Sequence, residues 1–231
     1  FTSNPITGLV LDGDTNFDSV ASVDDLASFD FTTGVISSGE YAFNNVLDLG
    51  GVFSIQIERH IVVQAFNYAT GAASTESVNV VMYVSSTSDD PSSGSASWTP
   101  WNIVSAGFYA DRGFKFKVVL STTSSTTNIA VKEMGCKIYM RQETFFPFVQ
   151  DSSGTSTKAV TFSAPFFAGV AATIGGANAF KPAVSVNVYD LQSGEYSQIS
   201  SITGTGFNLD VKNSSNNHVN RSFTYQAVGL K

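Results

Sequence analysis

An all-β fold built of antiparallel β-sandwiches is what this sequence predicts, and three observations predict it. Charged residues make up only 13% of the 231 positions, about half the ~25% of an average globular domain, which is too few for a coiled coil or a solvated helical bundle. Nineteen Phe and eight Tyr stand among many Val, Thr and Ser, residues that suit a pleated, half-buried surface. Apolar residues recur with period two in several separate runs, and no stretch carries the longer period of an amphipathic helix.

The first clear run starts at Phe53, where Ile55, Ile57, Ile61 and Val63 are apolar while Ser54, Gln56, Glu58 and Gln64 intervene. His60 falls on the polar phase of that strand. A second strand is expected from Val78 to Val84, followed by a loop rich in Ser, Asp and Gly from Ser85 to Ser97. Next, Phe114, Phe116, Val118 and Leu120 alternate with Lys115 and Lys117, and a Ser/Thr turn follows from Ser121 to Thr127. Met134, Cys136, Ile138 and Met140 then alternate with Lys137, Tyr139 and Arg141. That phase turns Cys136 inward as a small core residue.

Between Phe145 and Thr157 the sequence changes character. Phe-Phe-Pro-Phe gives way to Asp151-Ser-Ser-Gly-Thr-Ser-Thr157, and Pro followed by a Ser/Gly cluster is linker chemistry. Shorter runs follow at sandwich spacing: Ala159 to Ser163, Val184 to Tyr189, Tyr196 to Ile199, Phe207 to Val211 and Ser222 to Val228. The stretch Asn213-Ser-Ser-Asn-Asn-His218 reads as a hairpin tip, since Asn tolerates positive φ. Two unequal β-sandwiches are therefore expected, over residues 1–148 and 149–231.

Composition also excludes functions. A net charge of −7 argues against a nucleic-acid partner, because phosphate binding needs clustered Lys and Arg. No run approaches the ~18 apolar residues of a membrane-spanning helix. The lone Cys136 forms no intrachain disulfide and offers no thiol pair to a metal. The opening Phe1-Thr2-Ser3-Asn4-Pro5 has no initiator Met and no signal-peptide character, which reads as a piece of a longer chain.

Three constellations carry chemistry. Asp12, Asp14, Asn16 and Asp18 are spaced like the first half of a calcium loop, but Phe17 stands at the turn glycine and Val23 at the bidentate Glu. An acidic surface loop is the simpler reading, and no metal or cofactor is expected. Hydrolysis by a triad would need a histidine beside a nucleophile, yet His60 and His218 are the only two, neither in a catalytic motif. Carboxylates alone can cleave glycosides, and Asp24-Asp25, Asp89-Asp90, Asp111 and Glu195 are available. Acids at turns more commonly cap and solvate, so no enzyme is expected. The third constellation is Trp98-Thr-Pro-Trp101 with Phe108-Tyr109-Ala-Asp-Arg112. Trp, Tyr and Arg dominate binding hot spots and aromatic faces take sugar rings; the alternative is a hydrophobic plug in which Arg112 pairs with an acid.

These residues also carry a resemblance. Val81-Met-Tyr-Val-Ser-Ser-Thr-Ser-Asp-Asp-Pro91, the Trp98–Trp101 pair and Gly107-Phe-Tyr-Ala-Asp-Arg-Gly-Phe-Lys-Phe-Lys-Val-Val-Leu120 resemble the distal part of tailed-phage tail-tip proteins of the host-specificity J type. Ser38-Gly-Glu-Tyr-Ala-Phe43 and Val46-Leu-Asp-Leu-Gly-Gly-Val-Phe53 fit the same pattern, and Asp111, inserted between Ala110 and Arg112, departs from it. The Arg-x-Phe-x-Phe strand is similar to galactose-binding-like jelly rolls. Val160-Thr-Phe162, Pro165-Phe166, Gly194-Glu-Tyr196, Thr203-Gly-Thr-Gly-Phe207 and Arg221-Ser-Phe-Thr-Tyr-Gln-Ala-Val-Gly229 resemble a small sandwich of phage tail fibres and spikes, itself like H-type lectins.

The resemblance implies a jelly-roll-like sandwich followed by a smaller lectin-like one, in a virion tail-tip or tail-fibre protein acting in host attachment. A homotrimer is implied, contacting other tail proteins and a host surface glycan or outer-membrane receptor. The residues expected at the receptor are Trp98, Trp101, Tyr109 and Arg112 in the first sandwich, and Asn216, Asn217 and His218 in the second. The rival readings are a purely structural decoration or spacer of the tail, a carbohydrate-binding or carbohydrate-degrading protein, and a cell-surface lectin of a non-viral organism.

Overall fold

A computed structural model describes residues 35–169 and 180–231, together with the backbone of Leu9–Val10. The described residues form antiparallel β-sheets throughout, and none of them forms a helix long and apolar enough to cross a membrane. The acidic stretch Asp12–Asp18 and the Asp24-Asp25 pair lie outside the described residues.

The first sheet takes β1 (Leu9–Val10), β2 (Ser38–Ala42), β3 (Leu47–Asn67), β4 (Val78–Thr87), β5 (Asn102–Ile103), β6 (Phe108–Thr122) and β7 (Thr127–Met140). Their order is β1-β7-β3-β6-β4-β5, with β2 also on β6. One edge of β6 pairs with β4, while the other takes β3 and then β2 end to end. The long β3 pairs with β6 through its first half and with β7 from Ile55 onward. It therefore joins two ribbons, β4/β6 and β3/β7, that close over one core. Met82 and Val84, the alternate residues Phe114, Phe116, Val118 and Leu120, and Ile55, Ile57, Ile129 and Val131 all bury into that core. Val63, apolar on the same strand phase as Ile55, stays 37% exposed.

Two irregularities reset which side chains face inward. On β7, Val62 and Val63 stand opposite Glu133 and Val131, so β7 carries one extra residue, Lys132, between them. A bulge of this kind moves the inward set from Ile129 and Val131 to Met134, Cys136, Ile138 and Met140. On β3, Asp48 opposes Gly113 but Phe53 opposes Asp111, so Leu49–Val52 loop out against Arg112 alone. Gly50 makes that loop possible with φ +73°, and the Asp48 carboxylate caps it by accepting from the Gly50 N–H at 2.8 Å. The same shift lets Tyr109 and Phe114, five places apart, both face the core, their rings meeting edge to face at 6.5 Å.

The remaining strands are β8 (Gln142–Phe145), β9 (Gln150–Asp151), β10 (Lys158–Thr161), β11 (Ala183–Val188), β12 (Tyr196–Ser200), β13 (Gly206–Lys212) and β14 (Ser222–Leu230). They make a three-stranded sheet, β10-β13-β12, and a four-stranded sheet in which β11, β8 and β9 all pair with β14. Phe207, Leu209 and Val211 alternate inward on β13, as Phe223, Tyr225 and Ala227 do on β14. Phe162 sits between them, its ring 6.0 Å from both Phe207 and Tyr225. These are the two inner faces of a β-sandwich.

The change of sheet falls at Arg141, because β8 already pairs with β14; this lies ahead of the Pro and Ser/Gly stretch. Phe166 and Phe167 then plug different cores. Phe166 packs on Phe162 in the second, while Phe167 meets Phe53 edge to face at 5.4 Å in the first.

Candidate functional site

After β4 the chain turns through Asp89-Asp90-Pro91 and returns past Trp98 and Trp101 to β5. The return leg is tied to β4 at Thr99, whose N–H donates to the Ser86 carbonyl at 2.9 Å and whose hydroxyl accepts from the Ser86 N–H at 2.9 Å. The Ser85 hydroxyl donates to the Thr99 carbonyl at 2.7 Å. Within the loop, the Ser97 N–H donates to the Asp89 carboxylate at 2.8 Å, and Asp90 accepts from both the N–H and the hydroxyl of Ser92.

The loop is also tied to β6. Asp111 accepts from the hydroxyls of Ser86 and Ser88, each at 2.6 Å. Arg112 makes a fork on Asp48, with distances of 2.9 and 3.1 Å, and reaches Asp90 at 2.9 Å. The turn itself presses on Gly113, where an added Cβ would stand 2.9 Å from Thr87 Cγ2 and 3.0 Å from Pro91 Cβ. Only glycine leaves room there.

Lys115 and Lys117 alternate with the core residues of β6 and so project from the outer face of the sheet. Lys115 Nζ lies 3.9 Å from the centre of the Trp98 ring, and Lys117 Nζ lies 5.0 Å from Trp101 and 5.5 Å from Tyr83. Each such contact is worth about 0.5–1 kcal/mol at a partly exposed position. Lys117 also bonds Glu40 at 2.7 Å. Trp101 remains 39% exposed and its neighbour Ile103 54%. The result is an outward plate of aromatic rings with two ammonium groups set among them.

The structure thus separates the expected site residues. Trp98 and Trp101 share one outer face, joined there by Lys115, Lys117 and Tyr83, which the sequence reading did not select although the alternation of β6 placed both lysines outward. Arg112 holds the loop from beside Asp48, in the pairing foreseen as its structural alternative. Tyr109 packs against the core, its hydroxyl accepting from the Ser105 N–H at 3.0 Å. Asn216, Asn217 and His218 lie apart, in the hairpin after β13. Asn216 takes φ +63° and accepts from the Tyr196 hydroxyl at 2.8 Å, while the Asn217 N–H donates to Asn213 at 3.0 Å. His218 bonds Asp210 at 2.8 Å, on the oxygen that also accepts from the Thr157 hydroxyl at 2.7 Å.

The carboxylates considered for catalysis have neighbours of their own. Glu195 is gripped by Arg221 through both oxygens, and Asp89, Asp90 and Asp111 serve the loop as described. His60 pairs with Glu133 at 2.9 Å on an exposed strand face. Among the described residues, no three His, Cys, Asp or Glu side chains group where they could hold a metal ion. Comparison with family models, with curated proteins and with solved structures finds no match.

Five carboxyls are held below their usual range: Asp48 chiefly by the Arg112 guanidinium, Asp90 by the Ser92 hydroxyl and N–H, Glu76 by the hydroxyls of Ser124 and Thr127, Glu195 by Arg221, and Asp210 by Thr157 and His218. Each group binds its proton more weakly when folded. Their stabilisation is complete above the unfolded values, near pH 4, and is lost as pH falls through the lowered folded ones. Denaturant midpoints are therefore expected to hold from neutrality down to about pH 5 and to drop below it; a midpoint that rises on acidification would contradict this.

Proposed function

We propose that this chain is a non-enzymatic attachment segment of a tailed-phage virion, placed at the tail tip or in a tail fibre. The observation that carries the reading is the pinned Trp98–Trp101 loop, which keeps two indole rings and two lysines on an open sheet face instead of in a core. Rigid aromatic side chains present large contact area at small cost in conformational entropy. The motif order from Ser38 to Leu120 supports the tail-tip assignment, and the Asn-rich hairpin adds a second exposed loop with adaptable hydrogen bonding. Repetition around a symmetric fibre would turn weak single contacts into avidity.

The attachment reading is tested by the binding of the purified 231-residue chain to cells of a candidate host. Trp98→Ala and Trp101→Ala are each expected to weaken binding about tenfold or more, as hot-spot truncations do, and a shortened 213–220 loop to weaken it less. Unchanged binding by all three folded variants would remove the site. A chain that neither binds cells nor blocks infection would instead be a structural spacer of the tail.

An oligomer, most simply a homotrimer of the kind the resemblance implies, is supported by the run that follows β8. Phe146 is 69% exposed, Phe148 95% and Val149 59%, and a contiguous exposed apolar run of this kind marks an interaction surface. Phe146→Ser together with Phe148→Ser is expected to lower the solution mass to that of a single chain, as measured by sedimentation. An unmodified chain that already sediments as a monomer, or a variant that keeps the oligomeric mass, would contradict this interface.

A further inference from the structure

A pocket of about 380 Å³ lies on the core side of the first sheet, near the lower end of the ~300–1,000 Å³ of ligand sites. Its floor is Met82 and Phe116, both buried. Tyr41 and Phe43 form one wall, their rings meeting edge to face at 5.3 Å, and Cys136 and the Gly135 backbone of β7 form the other. Asn44 and Asn45 stand exposed at the mouth. Met82 and Phe116 alternate with Tyr83, Lys115 and Lys117 along their strands, so this pocket and the tryptophan face lie on opposite sides of the sheet.

The lining has a definite chemistry. Among the described residues, no charged side chain borders it. Most of its surface is aromatic, thioether or thiol, which suits the apolar face of a ring. The two carboxamides at the mouth and the Tyr41 hydroxyl have no hydrogen-bond partner among the described residues. Each carboxamide can donate and accept, and the phenol can do both. A ligand that answers all of this has an apolar ring face, a rim of hydroxyl groups and no net charge.

We infer that the pocket is a second binding site, for a neutral sugar unit of one or two rings. The C–H face of the ring stacks between Tyr41, Phe43 and Phe116, and its hydroxyls meet Asn44, Asn45 and the Tyr41 hydroxyl. This goes beyond the attachment reading and does not depend on it, because the tryptophan face shares no residue with the pocket.

Cys136, the one cysteine of the chain, reports on occupancy directly. Burial pushes its thiol above the usual range, so alkylation by iodoacetamide at mildly alkaline pH is slow, and a bound ligand slows it further. The whole chain is alkylated alone and with millimolar lactose, maltotriose, cellotriose or chitotriose. At least one of these is expected to slow the reaction severalfold. That protection should vanish in Tyr41→Ala and in the double variant Asn44→Ala with Asn45→Ala, whose altered side chains are all exposed; if one variant fails to fold, the other decides. The inference is overturned if none of the four sugars protects, if protection persists in a folded variant, or if cyclohexanol protects where the sugars do not. Loss of cell binding in Trp101→Ala would leave Cys136 protection intact, which separates this site from the attachment face.

Discussion

Arg112 ties the irregular stretch of β3 to the long β4–β5 connection. Its guanidinium lies between Asp48, at the last regular pair of β3 before the Leu49–Val52 loop, and Asp90, at the turn of the long β4–β5 connection. The Asp48 pairing is the stronger, since both side chains are only about a quarter exposed and two parallel N–H bonds fix the geometry. Asp90 is nearly half exposed and more strongly screened, so it steers the turn more than it stabilises it. A lysine would carry the charge but not the fork.

Much of the surface chemistry follows from that placement. Asp111 stands opposite Phe53 and binds the hydroxyls of Ser86, near the end of β4, and of Ser88 in the loop, while Gly113 leaves space for Pro91. The loop is thereby set before any partner arrives, and Trp98 and Trp101 come to rest beside Lys115 and Lys117. A binding loop that is already ordered loses little conformational entropy on engagement. Asp111 thus ties this loop to the sheet together with Arg112 and Thr99.

The fold class was legible because alternation survives in single strands: Phe114 to Leu120, Phe207 to Val211 and Ser222 to Val228 all face as their phase predicts. Changes of phase were harder to see. The switch from Ile129 and Val131 to Met134 and Cys136 requires the extra Lys132, and a bulge leaves only a parity change in the sequence. Partnering was less legible still. Nothing local in the sequence joins Asp48 to Arg112 across a loop, or sets Phe166 and Phe167 into different cores. The tryptophans were found by their density, whereas Tyr109 was grouped with them by sequence proximity, and only the register shift between β3 and β6 turns it inward against the phase of Phe114 to Leu120. The pocket gathers residues of β2, β4, β6 and β7 with the link after β2, and left no continuous motif.

The account rests on the Ser85–Trp101 loop being one rigid unit held by Arg112 and Asp111. Hydrogen exchange of the intact chain tests this most directly, read at the amides of Asp89, Ser92, Ser97 and Thr99, which all donate within the loop or to β4. They are predicted to exchange far more slowly than free-chain amides, and to lose that protection together in Arg112→Lys. Exchange at free-chain rates in the unaltered protein would contradict a preformed tryptophan platform.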